Sequence, residues 1–321
     1  MSELWHSCIS RELEEVEDLM MRDLESENPE LTEMCQYVIS SGGKRIRPAL
    51  CILAYRAVGG TDMSLPVKIG AAFEIIHSAT LIHDDINDQG EVRRGRKTLH
   101  KEYTVSKAII AGDYMFAMGF RLLAVAAPQI VDFIVEASAS MGAGEFVQKD
   151  LEHASAVTED DYIRIITGKT AKLFEASSKS GAAVANADST TLEALGRYAF
   201  QIGLAFQIVD DTLDVIGNPG STGKMVGTDL IEGKPTRPVI YAMVDPANGP
   251  RLVELFEKQE ATLDDVREAL ELIRATDAVD RCLDRAAEIA DEALPLLDSI
   301  PDSVYKEALL DLGRYVVGRD R

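Results

Sequence analysis

Aromatic side chains are scarce in this 321-residue sequence, at 6%, while hydrophobic residues make up 46% and are dominated by Ala and Leu. That balance favours helix over sheet. The four cysteines, Cys8, Cys35, Cys51 and Cys282, are scattered and form no C-x-x-C pair. Neither a disulfide framework nor a thiolate zinc site is indicated, and the reduced cytoplasm is the expected location. Basic residues are outnumbered 33 to 54, for a net charge of −21. This argues against a general nucleic-acid binder and against a polybasic membrane anchor. The longest apolar region, Lys107 to Val135, is broken by Asp113, Arg121, Pro128 and Asp132, so no integral membrane segment is expected. Met1 to Glu17 is acidic and lacks the apolar core of a signal peptide. No strand pattern, internal repeat or long linker is evident, and the chain reads as one all-helical domain over residues 1–321.

What the sequence does contain is organised around Ile75 to His100, IIHSATLIHDDINDQGEVRRGRKTLH. An apolar helical run ends in Asp84, Asp85 and Asp88, passes Gly90 and meets Arg93 and Arg94. Positions i and i+4 share a helix face, so Asp84 and Asp88 point the same way. Clustered carboxylates repel one another unless a cation lies among them. Mg²⁺ takes one or two carboxylates and completes its shell with water and substrate phosphate. The arginine pair matches phosphate oxygens in a bidentate fashion. With 54 acids in the chain, an acid-acid-x-x-acid pattern arises by chance about once or twice. Glu14-Glu15-Asp18 and Asp264-Asp265-Glu268 are such copies, on charged amphipathic helices. The all-aspartate form occurs only as Asp84-Asp85-Asp88 and Asp210-Asp211-Asp214, each following an apolar run. Together they point to a metal–diphosphate site.

The pattern predicts helices over Leu4–Leu24, Pro29–Ile39, Pro48–Ala57, Leu65–Asp88, Tyr103–Ala126, Pro128–Glu152, Glu159–Ala183 and Ser189–Val215, with shorter ones to the end. Gln89–Leu99, Gly217–Gly227 and Asp229–Lys234 read as loops. Pro48 in a first turn places Lys44 and Arg47 at a helix N-terminus, where the dipole favours an anion. Lys169 and Thr170 lie in a helical pattern, and Gln207 is three residues before Asp210 on much the same face. His77 is two turns before Asp84, and Lys224 and Lys234 neighbour glycines in the loops. Each of these also has a plainer reading: loop lysines are usually solvated, and a helical histidine is more often a core residue.

The segments GGKRIRP (Gly42–Pro48), HSATLIHDDINDQGEVRRG (His77–Gly95), AGD (Ala111–Asp113), GEFVQ (Gly144–Gln148), GKTAKLF (Gly168–Phe174), FQIVDDTLD (Phe206–Asp214) and GTDLIEGKPT (Gly227–Thr236) resemble, in order, the trans-isoprenyl diphosphate synthases. The resemblance implies an all-α, single-domain bundle of the isoprenoid synthase type around a central cleft, usually homodimeric. It implies that the two aspartate clusters face each other there and hold three Mg²⁺ on an allylic diphosphate. Asp84, Asp88 and Asp210 are the implied principal ligands, supported by Asp85, Asp211 and Asp214. Lys44, Arg47, His77 and Arg94 are the implied isopentenyl diphosphate cradle. Arg93, Lys169, Thr170, Gln207, Lys224 and Lys234 are the implied allylic diphosphate clamp. Lys97 and Arg237 depart from the family pattern, which puts the local loop conformation in question.

The growing hydrocarbon is expected to run back along the helix before the first cluster, past Thr80 and Ala79 to Ile76 and Phe73. Short-chain members carry a bulky aromatic near Ala79, so a product of geranylgeranyl length or longer is expected. A class I terpene cyclase would have no use for Lys44 and Arg47. A phosphohydrolase would want more histidines than five. A silent subunit of a heteromeric synthase would have lost acids or arginines. A calcium loop beginning at Asp85 fails because its twelfth position is Arg96.

Overall fold

The computed structural model describes residues 4–217 and 226–318. The chain is all-α, as expected from its composition. The described residues gather into two compact units. Among them, the first comprises residues 4–136, 173–199 and 296–312; the second comprises 137–172, 200–217, 226–295 and 313–318.

In the first unit the central helix is Ser64–Asn87, buried along most of its length. It packs against Ile46–Ala57, itself nearly all buried, and against Val105–Leu122 and Ser10–Asp23. Close packing with Val105–Leu122 follows from small residues. The position a Cβ would take on Gly119 is 2.6 Å from Ile76, and that on Gly112 is 2.4 Å from His83. Ser64–Asn87 and the stretch Val105–Val125 are long and apolar enough to cross a membrane by length and composition. Asp113 and Arg121 therefore do not remove the second from that class, contrary to the sequence reading. The first is mainly enclosed by its neighbours, which is the pattern of a core helix.

The expected N-terminal helix is divided into Leu4–Ser7 and Ser10–Asp23, and Trp5 is buried as packing. Pro29–Ile39 forms as predicted, with the Asn28 side chain capping Glu30 and Leu31 N–H groups. The expected loop Gln89–Leu99 contains the only strands among the described residues, Val92–Arg93 and Arg96–Lys97, paired antiparallel. Arg94 and Gly95, at φ 52° and 74°, make the two-residue turn. Positive φ at both central positions suits this hairpin's twist, and Gly95 adopts it without steric cost.

In the second unit the expected long helix Glu159–Ala183 begins as Glu159–Ile166 with a Thr158–Asp161 capping box. It then passes through a π-helical turn, Thr167–Ala171. Asp229–Lys234, expected as loop, is partly a short helix, Thr228–Ile231. Arg237 opens the helix Arg237–Met243 and is buried, so this departure from the family pattern lies inside structure and not in a loop.

One buried charge organises the N-terminal side of Ile46–Ala57. Arg45 has left-handed backbone (φ 52°) and is buried. Its guanidinium donates to Glu74 at 2.9 Å, Glu17 at 3.0 Å and the Ile39 carbonyl at 2.8 Å. Removing one partner of a buried pair strands the other charge, at about 3–5 kcal/mol. Glu74→Ala is therefore expected to lower the unfolding free energy by about that amount in urea denaturation. A loss below about 1 kcal/mol would contradict this role for the pair.

Candidate active site

In the first unit, Asp84 and Asp85 lie on the last turn of Ser64–Asn87, and Asp88 is its C-cap residue. Asp85 is buried and accepts from Arg93 Nε at 2.7 Å. Asp84 and Asp88 are half-buried. The hairpin turns the arginines back toward the N-terminal segments. Arg94 donates to the Gly42 carbonyl, and Arg96 to Ser40 at 3.0 Å. Lys97, the other departure, is exposed on the second strand and pairs with Glu102 at 3.5 Å.

Arg47 is buried, its guanidinium 5.1 Å over the Phe174 ring, while Lys44 is exposed. Burial, opposed by Glu74 and helped by Arg94, pulls the Arg47 pKa down to about 10. Burial also lowers Arg94. His77 is held well below 6.5 by its enclosed surroundings and then by Arg47, Arg94, Arg93 and Arg45. The structure thus brings Arg47, His77, Arg93 and Arg94 into one electropositive group. Such a group suits a diphosphate, whose charge would relieve the repulsion.

In the second unit, Lys169 and Thr170 lie on the π-helical turn, a feature frequent at functional positions. The backbone there approaches Pro128–Asp150 closely. A Cβ on Gly168 would lie 2.5 Å from the Ser140 carbonyl oxygen. Thr170 donates to Gln207 Oε1 at 2.7 Å, and Gln207 Nε2 donates to Asp211 at 2.8 Å. Lys169 pairs with Glu145 and donates to Gln148 Oε1 at 3.0 Å. Lys234 pairs with Glu232 at 2.6 Å.

The second cluster is divided by environment. Asp210 is exposed. Asp214 accepts the Thr228 N–H at 3.3 Å and the Asp229 N–H at 3.0 Å, which anchors the segment leading to Lys234. Asp211 is buried and receives Tyr162 Oη–H at 2.7 Å besides Gln207. Gln148, Tyr162, Lys169, Gln207, Asp211 and Lys234 are among the residues around a cavity of about 100 Å³. Lys224 lies outside the described residues.

Burial and the charges of Asp229 and Asp210 raise the Asp211 pKa, against its hydrogen bonds from Tyr162 and Gln207. Tyr162 is likewise driven well above 10 by burial and by Asp211. Negative charge is thus under-compensated at this cluster, and a divalent cation would supply the missing compensation. Among the described residues no three acids, imidazoles or thiols form a metal cage of their own. An all-oxygen, incomplete donor set fits Mg²⁺, which keeps water and phosphate in its shell.

Tyr162, Glu145, Gln148, Arg45 and Asp229 received no role from sequence reasoning. GEFVQ was visible as a motif, and its Glu145 and Gln148 prove to hold Lys169. Of the expected chain-length residues, Phe73, Ile76 and Ala79 are fully enclosed. Thr80 is half-buried and donates to the His77 carbonyl at 2.7 Å.

The profile of the polyprenyl synthetase family matches residues 28–273. An all-trans-nonaprenyl-diphosphate synthase (geranyl-diphosphate specific) of Rhodobacter capsulatus is 37% identical over 88% of this chain and 87% of its own. A geranylgeranyl diphosphate synthase of Methanosarcina mazei is 34% identical over 91% of this chain and 90% of its own. The crystal structure of a polyprenyl synthase from Caulobacter crescentus, complexed with calcium and isoprenyl diphosphate, matches with TM-score 0.94 and 34% identity. It covers 100% of this chain and 98% of that one.

The depressed His77 pKa makes a stability prediction. Unfolded His77 binds a proton below 6.5, whereas folded His77 stays neutral until well below that. Its contribution is therefore complete above 6.5 and is withdrawn as pH falls toward the lower folded value, by up to about 1.4 kcal/mol per pH unit. His77→Gln is expected to lose less stability than wild type between pH 7 and pH 5 in urea denaturation. Equal losses would refute the neutral, charge-suppressed His77.

Proposed function

The chain belongs to the polyprenyl synthetase family, and from that premise we propose that it condenses isopentenyl diphosphate head to tail with an allylic diphosphate. The product is a trans-polyprenyl diphosphate of geranylgeranyl length or longer. The observation that carries the reading is the first cluster itself: Asp84 and Asp88 end one helix, and the hairpin after it returns Arg93 and Arg94. Acids for a metal and guanidinium groups for a phosphate thus come from one continuous stretch. The cyclase, phosphohydrolase and silent-subunit alternatives are not favoured, because the family match runs through both acid clusters and GGKRIRP.

In this proposal Asp84, Asp88 and Asp210 are the principal Mg²⁺ ligands, with three ions per site and Asp85, Asp211 and Asp214 in support. Bound Mg²⁺ supplies Lewis-acid neutralisation of the departing pyrophosphate. Arg93, Lys169, Gln207, Lys234 and Lys224 donate to the allylic diphosphate and stabilise the charge that grows on it, while Thr170 completes the clamp by orienting Gln207 through its hydroxyl hydrogen bond. Lys44, Arg47, His77 and Arg94 hold the isopentenyl diphosphate, and His77 acts as a neutral donor there. The allylic C–O bond breaks with its electron pair leaving on pyrophosphate. The isopentenyl double bond supplies the pair for the new C–C bond, and a proton then passes to the released pyrophosphate. Holding both substrates in place converts an encounter into a unimolecular step, and exclusion of water preserves the cation.

We assign product length to Phe73, Ile76, Ala79 and Thr80. We add Gly119 to this group, because a Cβ there would lie 2.6 Å from Ile76 and its missing side chain leaves Ile76 its place. The protein acts in the cytoplasm as a homodimer in this reading. Val105, Ile109 and Ile110 support the dimer: they are 49%, 41% and 56% exposed on the first two turns of one helix, apolar surface that a second copy would cover.

Purified protein with Mg²⁺, isopentenyl diphosphate and each allylic primer in turn is expected to give prenyl products longer than farnesyl. Asp84→Ala is expected to lower the rate by about 10²–10³-fold or more, and undiminished condensation would defeat the metal assignment. Ala79→Phe is expected to shorten the product. An unchanged product distribution would remove Ala79 from the chain-length group. Light scattering is expected to give twice the 35.0 kDa chain mass, and Ile109→Asp to give the single-chain mass.

A further inference from the structure

We propose that Tyr162 is a positioning residue of the second aspartate cluster, its hydroxyl fixing the Asp211 carboxylate and so setting how firmly the cluster retains a divalent cation on an allylic diphosphate. The inference rests on the prenyl-transfer reading above and adds a residue to it.

Tyr162 is 2% exposed, and its hydroxyl is 2.7 Å from Asp211 Oδ2. A phenol serving only as packing needs no oxygen, and a buried hydroxyl without a partner is costly. Here the partner is a carboxylate of the metal-type motif. Asp211 Oδ1 takes the Gln207 amide N–H at 2.8 Å. That amide has a defined orientation, because its own oxygen accepts the Thr170 hydroxyl at 2.7 Å. Both carboxylate oxygens are therefore held, one from each side, while each keeps acceptor capacity for a cation or its water. Hydrogen bonds of this kind orient metal-binding carboxylates, and their loss weakens metal binding about 10–100-fold.

The helix bearing Tyr162 is itself anchored. Its first residue, Glu159, pairs with buried Arg237, and Arg237 Nε donates to Tyr241 Oη at 2.9 Å. The capping box Thr158–Asp161 closes the same turn. Tyr162 also borders the cavity shared with Lys169, Asp229 and Lys234, so its hydroxyl acts at the wall of the proposed clamp. Arg237, which departs from the family pattern, thereby gains a structural reason: it fixes the segment that aims Tyr162.

The test compares wild type with Tyr162→Phe by calorimetric titration of Mn²⁺ into protein carrying a non-ionising allylic thiodiphosphate, alongside steady-state kinetics. The expected result is Mn²⁺ binding weakened about 10–100-fold, with the Mg²⁺ requirement of turnover rising in parallel and the KM for isopentenyl diphosphate unchanged. In an Asp211→Asn background the same substitution is expected to add nothing, because its effect passes through that carboxylate. Unchanged Mn²⁺ binding with reduced stability would overturn the inference, as would full additivity with Asp211→Asn. Should Tyr162→Phe fail to fold, 3-fluorotyrosine at position 162 in the full chain keeps the shape and alters the hydroxyl. A shift in Mn²⁺ affinity then supports the inference, and none overturns it. Wild type that forms no prenyl product would instead sink the functional reading, which separates the two failures.

Discussion

A carboxylate taken out of water must find compensation, and the two aspartate clusters are built around that constraint. In each cluster the middle acid is the buried one. Asp85 is paired with Arg93 at 2.7 Å, and Asp211 receives Tyr162 and Gln207 at 2.7 and 2.8 Å. The acids beside them, Asp84, Asp88 and Asp210, keep more contact with solvent. The middle acid acts as an anchor that holds the helix end rigid, so the flanking acids present their oxygens from a fixed frame. A motif that looks uniform in sequence is thus divided into holding and presenting positions. Asp214 serves a third purpose, because its oxygens accept the first N–H groups of the segment that carries Lys234.

The positive side obeys the same rule with the sign reversed. Arg45 enters left-handed backbone and is buried, which is tolerable because Glu74, Glu17 and the Ile39 carbonyl satisfy its donors. That fixes the start of Ile46–Ala57 and therefore the position of Arg47. Burial first, and then Arg47 with Arg94 and Arg93, in turn suppress the charge of His77. A neutral imidazole among guanidinium groups keeps a ring N–H donor without adding a further charge to an already crowded centre.

These relations also explain what the sequence could and could not reveal. Asp84-Asp85-Asp88 and Asp210-Asp211-Asp214 were legible because rare residues recur at helical spacing after apolar runs. GGKRIRP was legible because a proline marks a helix start. Most helices were legible from periodicity, including Pro29–Ile39 at its observed bounds. The hairpin was missed because two-residue strands have no period to detect. The clue was RRGRK, in which Arg94-Gly95 supplies the left-handed pair the turn requires. Tyr162 was missed because a tyrosine at a helical core position reads as packing. Only the distance to Asp211, 49 residues away, gives it a role.

The π-helical turn shows how such long-range relations arise from small local choices. An extra residue in the turn Thr167–Ala171 widens the helix there and carries Lys169 and Thr170 away from the ordinary register. Widening alone would open a gap, but Gly168 and Gly144 let the neighbouring backbone close it, with the missing Cβ of Gly168 2.5 Å from the Ser140 carbonyl. The turn can then hand Lys169 to Glu145 and Gln148 while Thr170 reaches Gln207. Gln207 passes the constraint to Asp211, which Tyr162 holds from the other side. Two glycines that remove bulk thus determine the orientation of a carboxylate three hydrogen-bonded groups away, and the geometry of the second cluster is a consequence of packing before it is one of charge.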